Sequence, residues 1–397
     1  MSISVVFPGQ ASQYPNMGLS ILNEMPELNE YYIRASEILD KDIKKVIFGD
    51  KDKFMENQLD IQPAVFLTSY VAYEYIKRKY DIKSCCFAGH SLGEITSLVA
   101  SGMLSFDDGM KLVKYRSRSM VEASSNVMGG MTSITQFSPE LVTKFCEDFE
   151  GVWVSCYNSN HQTVIGGKIE CLTKAEEKLL SMGAKVKRLS TIGAFHTPLM
   201  LEAANQLYEY IQKMDIHEPN AMVISNVTAR PYSRLIDVKK LLRMQMILPV
   251  QWEKTISYIE DMYITRLIEC GPRSTLSNLL KDRSNKLIPY STDKSQLDFL
   301  RDTQDKQFYV KDLVKECECA VSCCKNKAED YNVITCKEYY EKLINMKLKS
   351  NLIYHDEDVI EAFNYIEKIL CCKGYNSDEI SQIERTIEKK LGFVVDL

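Results

Sequence analysis

Gly89-His90-Ser91-Leu92-Gly93 sets a serine between two glycines at the spacing G-x-S-x-G, after the apolar run SCCFAG and before the helix-forming LGEITSLVASGM. Glycines at those positions permit a tight strand-to-helix turn. Such a turn lifts the serine hydroxyl to a helix N-terminus, where free N–H groups and the helix dipole favour negative charge. A tight turn with a capping serine would leave the same five-residue pattern. A serine nucleophile needs a base, and the chain has five histidines. His90 adjoins the serine and cannot easily turn back to it, so its place suits a wall or a hydrogen-bonding role. His161 lies in the polar turn NSNHQ, His217 in the loop-like HEPN, and His355 in the C-terminal part. His196, in GAFHTPLM just after a glycine-containing turn, is the candidate base. A Ser91–His196 pair would pass an acyl group through an acyl-serine, to water or to another acceptor.

Those two residues need a rigid scaffold. ISVVFPG is a short apolar run that ends at Pro8-Gly9, as a buried strand feeding a loop would. With the second strand–turn–helix unit around Ser91, it implies a parallel α/β sheet. Between about 127 and 190 the rhythm changes. A strand (MGGMTSIT), a helix (SPELVTKFCEDF), two strands (VWVSCYN, TVIGG), a helix (IECLTKAEEKLLSMG) and a strand (AKVKRLS) give βαββαβ, the ferredoxin-like plan. The α/β pattern resumes through AMVISNVTA and ITRLIECGP and ends near Leu287. The expected organisation is a catalytic core of residues 1–126 and 191–287, an inserted ferredoxin-like subdomain of 127–190, and a helical extension of 288–397. In that extension Ile380, Ile383, Ile387 and Leu391 share a helix face, Asn376 and Glu379 form a capping box, and Gly392 supplies a stop.

The 397 residues carry 49 Lys plus Arg against 54 Asp plus Glu, a net charge of −5 that argues against a general nucleic-acid binder. Neither a membrane span nor a secretory signal is expected. Thirteen cysteines without a regular framework read as free thiols in a reducing cytoplasm. The densest group (Cys317, Cys319, Cys323, Cys324 and Cys336) does not have a familiar zinc spacing and reads as small apolar thiols on a buried helix. No metal site is expected.

Nine motifs stand in order: FPGQASQ, Gln62-Pro63-Ala64, GHSLGE, YRSRSM, YNSNHQTVIGG, GAFHTPLM, ISNVTA, QMILPVQW and ECGPRSTL. Together they resemble the malonyl-CoA:acyl-carrier-protein transacylases, including the free-standing acyltransferases of polyketide synthases, over residues 1 to about 287. The resemblance implies an α/β-hydrolase-like core, with Ser91 as acyl acceptor and His196 as base. Gln10 and Leu92 would give the backbone N–H groups of an oxyanion hole. Gln245 matches the position whose backbone carbonyl orients the histidine in place of an aspartate. Arg116 would hold the malonyl carboxylate bidentately, with Lys114 and Arg118 as alternatives in the same basic run. Asn158 and Gln162 resemble polar residues lining that pocket. Phe195 goes with malonyl in the family, since an aromatic ring beside the α-carbon leaves no room for a methyl branch. The implied partners are malonyl-CoA and an acyl carrier protein, with polyketide or fatty acid synthesis as setting and no metal or redox cofactor. An acidic carrier protein would need a local basic face, and Lys77, Arg78 and Lys79 are candidates. The rival readings are a hydrolase that clears stalled acyl groups and a non-catalytic scaffold.

Overall fold

The computed structural model describes residues 3–50, 54, 56–82, 84–262, 264, 266–280, 283, 287–294, 297, 300, 310–327, 333–346 and 356–391. The chain divides into two compact units, one of residues 3–297 and one dominated by residues 298–397.

The first unit is built on a five-stranded sheet of order β7-β2-β1-β8-β9, parallel throughout. Its strands are β1 (Ile3–Phe7), β2 (Cys86–Gly89), β7 (Met222–Val223), β8 (Arg266–Glu269) and β9 (Ile288–Ser291). Both β1 and β2 are buried along their whole length, as strands covered on both faces must be. The strand order reverses direction at β1, with β2 on one side and β8 on the other. The crevice at the carboxyl ends there is where open parallel sheets bind ligands, and Gly9 and Ser91 stand at those ends. β9 lies beyond Leu287, so the core runs further than the sequence pattern indicates. It is a short edge strand containing Pro289, and a proline is tolerated at an edge because no ladder bond is needed on the open side.

The helices of this unit are α1 (Leu19–Glu24), α2 (Asn29–Leu39), α3 (Ile43–Phe48), α4 (Gln58–Tyr80), α5 (Leu92–Ala100), α6 (Phe106–Asn126), α7 (Pro139–Asp148), α8 (Ile169–Ser181), α9 (Leu201–Ile211), α10 (Leu235–Gln245), α11 (Trp252–Asp261) and α12 (Thr275–Leu279). Pro63 lies inside α4 and has no N–H to give to the carbonyl four residues earlier, that of Leu59. Ser117 of α6 takes over: its Oγ donates to Leu59 O at 3.1 Å. This bond ties α4 to α6 between Gln62 and Arg116. The basic run at the end of α4 is not a free face. Lys77 pairs with Glu74 at 3.1 Å, Arg78 with Glu30 at 2.7 Å and with Glu74, and Lys79 with Glu24. Acids from this helix, α1 and α2 cancel the charges that sequence alone leaves open.

The second sheet holds β3 (Gly129–Thr135), β4 (Val152–Ser159), β5 (Gln162–Lys168) and β6 (Lys185–Arg188), in the order β4-β5-β3-β6 and antiparallel throughout. With α7 and α8 this gives βαββαβ, the ferredoxin-like plan. Ile134, Val142, Val154, Ile165, Leu172 and Leu179 form its core. β4 is bulged after Val154. There Val250 N donates to Ser155 O and Tyr157 N to Val250 O, both at 2.9 Å, so the segment before α11 is stitched to the small sheet.

The described helices of the second unit are α13 (Val310–Cys323), α14 (Val333–Asn345), α15 (Asp356–Cys372) and α16 (Ser377–Leu391). Leu313, Cys317, Leu343, Phe363, Ile369 and Ile380 are among its buried residues. Asn376 and Glu379 bond reciprocally, Glu379 N to Asn376 Oδ1 at 3.0 Å and Asn376 N to Glu379 Oε2 at 3.1 Å. Ile380 and Ile387 are buried and Ile383 is partly so. His355, Gly392 and the Leu391 side chain lie outside the described residues. The cysteines do not share one buried face. Cys317 and Cys336 are buried and Cys324 is half-buried, whereas Cys319 and Cys323 are exposed. Helical spacing explains it, because 317, 321 and 324 fall on one side of the helix axis and 319 and 323 on another. Among the described residues, no helix is long and apolar enough to cross a membrane.

Ser117→Ala orphans the Leu59 carbonyl while removing almost no packing. It should lower unfolding free energy by about 1 kcal/mol, measured by urea denaturation, while Ser125→Ala on the exposed face of the same helix should change it far less.

Candidate active site

Ser91 is the N-cap of α5, with φ 54° and ψ −106°, outside the conformations that non-glycine residues usually adopt. The flanking glycines are required by contact. A Cβ on Gly93 would lie 2.1 Å from Phe7 O, and one on Gly89 1.9 Å from the Gly93 carbonyl carbon. Asn226, from the loop after β7, braces the turn. Its Oδ1 accepts from Ser91 N at 2.7 Å and its Nδ2 donates to Gly89 O at 2.6 Å.

His196 also has a positive φ, 60°, and is buried. Its Nε2 is 2.8 Å from Ser91 Oγ and its Nδ1 is 2.6 Å from the backbone carbonyl of Gln245. A carbonyl only accepts, so Nδ1 carries the hydrogen and Nε2 presents its lone pair to the serine. Gln245 is the last residue of α10, where carbonyls have no partner within the helix. Burial pulls the imidazole pKa down to about 3, the Arg116 charge adds to the shift, and the Gln245 carbonyl opposes it. His196 is therefore neutral at physiological pH.

Of Lys114, Arg116 and Arg118, only Arg116 turns inward. Lys114 is exposed and bonds Ile38 O, and Arg118 pairs with Glu122 at the surface. Arg116 is 1% exposed. It donates from Nη2 to Ser91 Oγ at 3.0 Å and to Gln245 Oε1 at 3.2 Å, and from Nη1 to Gln62 Oε1 at 2.6 Å. These bonds use three of its five donors, and Nε is buried with no acceptor among the described residues. Burial lowers its pKa to about 10, and nearby Glu94 pushes it back up, so the guanidinium remains charged at neutral pH.

Beneath the serine, Gln245 Nε2 donates to Ser91 O at 2.9 Å and to Glu94 Oε2 at 2.6 Å, and the Tyr232 hydroxyl donates to Glu94 Oε1. Glu94 is wholly buried. Burial pushes its carboxyl up, and the bonds from Tyr232 and Gln245 pull it back.

His90, Asn158 and Gln162 form a separate chain. His90 Nε2 lies 2.9 Å from Asn158 Oδ1, and Asn158 Nδ2 donates to Gln162 Oε1 at 2.8 Å. The His90 ring lies against Trp252, and burial lowers its pKa. Among the described hydrogen bonds, none joins Asn158 or Gln162 to Arg116. Phe195 is buried, at 6% exposure, next to His196 in the chain. The Gly9–Gln10 loop packs on the serine turn so tightly that a Cβ on Gly9 would lie 2.7 Å from His90 O. Among the described hydrogen bonds, neither the Gln10 nor the Leu92 N–H has an acceptor.

Sequence reasoning assigned no role to Gln62, Glu94, Asn226 or Tyr232. The first three stand inside the motifs QPA, GHSLGE and ISNVTA, and a signal was present for Glu94: it is the only charged residue of LGEITSLVA. Tyr232 stands outside every motif.

The chain matches the family model of the acyl transferase domain over residues 5–316. It is 32% identical to the malonyl CoA-acyl carrier protein transacylase of Bacillus subtilis, over 79% of this chain and 80% of the relative. The solved malonyl CoA-acyl carrier protein transacylase of Clostridium perfringens superposes with a TM-score of 0.73 at 30% identity, covering 77% of this chain and 99% of that one. A further structure, a malonyl-transacylase in complex with its type II PKS acyl-carrier protein, superposes with a TM-score of 0.71 at 27% identity, covering 73% of this chain and 96% of that one. The chain, with its serine elbow, buried histidine and buried arginine, belongs to the acyl transferase domain family, among the malonyl CoA-acyl carrier protein transacylases.

Proposed function

We propose that the protein carries malonyl from malonyl-CoA, through a malonyl ester on Ser91, to the phosphopantetheine thiol of an acyl carrier protein, in supply of polyketide or fatty acid synthesis. The observation that carries this reading is the buried Arg116 guanidinium, 3.0 Å from the Ser91 hydroxyl and with donors left over. A cation at that place favours a short acyl group ending in a carboxylate. It also weighs against the hydrolase reading, which calls for a site accepting long uncharged chains.

His196 Nε2 takes the Ser91 proton as Oγ attacks the thioester carbonyl. The Gln10 and Leu92 amides receive the oxyanion, and donors of this kind are worth about 3 kcal/mol each. The carbon–sulfur bond breaks, and His196 returns its proton to the CoA thiolate. The carrier thiol then gives its proton to His196, attacks the ester carbonyl and displaces Ser91 Oγ, which takes that proton from His196 Nε2. Each proton moves through His196 and the charge is met by backbone donors, so the scheme asks for no metal or redox cofactor. Phe195 beside the base would disfavour an α-methyl branch. All of these residues lie in the unit of residues 3–297, and we assign the helical unit of the remaining residues no part in the chemistry. A cytoplasmic setting fits thirteen cysteines that are all free.

Brief mixing with malonyl-CoA should add one malonyl group, mapped by peptide mass spectrometry to Ser91; label on another residue, or none, contradicts the assignment. Arg116→Ala should reduce malonyl loading by about 1.5–3 kcal/mol in kcat/KM while reducing loading from acetyl-CoA far less. Equal losses would place the carboxylate partner elsewhere.

The depressed pKa of His196 fixes the pH profile. The neutral base persists until pH falls through the lowered value, so Ser91 acylation should show no inflection near the ordinary histidine value between about pH 5 and pH 8. Arg116→Ala removes one of the two main depressing causes and should move the acid limb upward. Protonation is also disfavoured in the folded state relative to the unfolded, so His196 should take stability away as pH drops below about 6.5.

A further inference from the structure

Glu94 stands three residues after Ser91, where the pattern S-x-x-E would ordinarily make a capping box, with the carboxylate reaching back to the N-cap amide. Here it does not. The Ser91 N–H goes to Asn226 Oδ1, and the Ser91 side chain makes no capping bond. The carboxylate turns instead into the protein, where it is wholly buried, takes bonds from Gln245 Nε2 and the Tyr232 hydroxyl, and is also met by the Asn226 backbone N–H and the Ser225 side chain. Burying a charge is costly unless it is compensated, and the nearby cation is Arg116. No direct ion pair joins them, because the Gln245 carboxamide stands between, its nitrogen on Glu94 Oε2 at 2.6 Å and its oxygen on Arg116 Nη2 at 3.2 Å.

That arrangement fixes the amide. Turned over, Gln245 would set its oxygen against two acceptors, the Glu94 carboxylate and Ser91 O, and its nitrogen against the Arg116 donors. The same residue gives its backbone carbonyl to His196. One side chain thus fastens α10 to the serine turn, and one carboxylate dictates how it is fastened.

We propose that Glu94 is a positioning residue for acyl transfer: by locking the Gln245 carboxamide it holds the carbonyl that orients His196, and it supports the charge of Arg116 without a direct bond that a substrate carboxylate would have to break. This rests on the acyl-serine reading above.

The test is a double-mutant cycle on the full chain with Glu94→Gln, Gln245→Met and both together. Gln245→Met keeps the backbone carbonyl and removes the carboxamide. Two rates are read: modification of Ser91 by a fluorophosphonate, which reports serine–histidine alignment whatever the natural acyl group, and loading from malonyl-CoA with kcat and KM separated. Glu94→Gln should slow Ser91 modification about tenfold and lower kcat by a similar factor, with KM changed less than about twofold. The double variant should be no slower than Gln245→Met alone. Losses that multiply in the double variant, a loss confined to KM, or unchanged Ser91 reactivity would each overturn the proposal. If Glu94→Gln does not fold, Tyr232→Phe removes a second side-chain donor to the carboxylate and takes its place in the cycle, with a smaller loss that again disappears in the Gln245→Met background. Wild-type protein that reacts with the fluorophosphonate at Ser91 yet takes no malonyl from malonyl-CoA would defeat the malonyl reading and leave the cycle decisive for Glu94.

Discussion

The site depends on the hydrogen bond from His196 Nδ1 to a neutral acceptor, the Gln245 carbonyl. A carboxylate there would hold the imidazole in the same tautomer, but it would also stabilise the imidazolium and draw in the nearest cation. A carbonyl orients without adding charge. The guanidinium of Arg116 can therefore lie beside the serine with none of the described carboxylates in contact, and the imidazole remains neutral beside it. His196 and Arg116 lie buried against the same serine hydroxyl, and the partner on the far side of the imidazole is uncharged.

That constraint explains why α10 must end where it does. Helix interiors satisfy their own carbonyls, and only the last turn leaves them open. Gln245 closes α10 and offers its main chain to His196 and its side chain to the serine turn, the arginine and the buried acid. The elbow is held from other directions by β1, whose Phe7 carbonyl touches Gly93, and by Asn226 after β7. Three separate stretches of chain meet within one turn of α5.

Much of this was legible in the sequence, and the parts that were not share a cause. Period and punctuation reveal elements buried by their own composition: the apolar run of β1, the glycines around Ser91, the βαββαβ rhythm after 127. β9 was missed because a four-residue edge strand with Pro289 has neither the length nor the donors of a recognisable strand. Lys77, Arg78 and Lys79 looked like a basic face because their acids come largely from other helices, at Glu24 and Glu30. Arg116 could be separated from Lys114 and Arg118 only by the direction each side chain takes. Glu94 was visible as a charge in an apolar helix, but its meaning required Gln245, 151 positions away.

The strand order also bears on how the chain reaches this state during synthesis. β1 emerges first but lies between β2 and β8, pairing Ser4 with Cys86 and with Leu267. Contacts so far apart in sequence close slowly, and a nascent chain lacking β8 must hold β1 with one edge unpaired. The residues gathered at the serine turn follow the same schedule. Ser91 precedes His196 by 105 positions, and the Gln245 carbonyl comes 49 later still. A ribosome-bound chain that has already released both Ser91 and His196 still lacks the helix end whose carbonyl meets His196 Nδ1, so this constellation is completed only once α10 has been translated and packed.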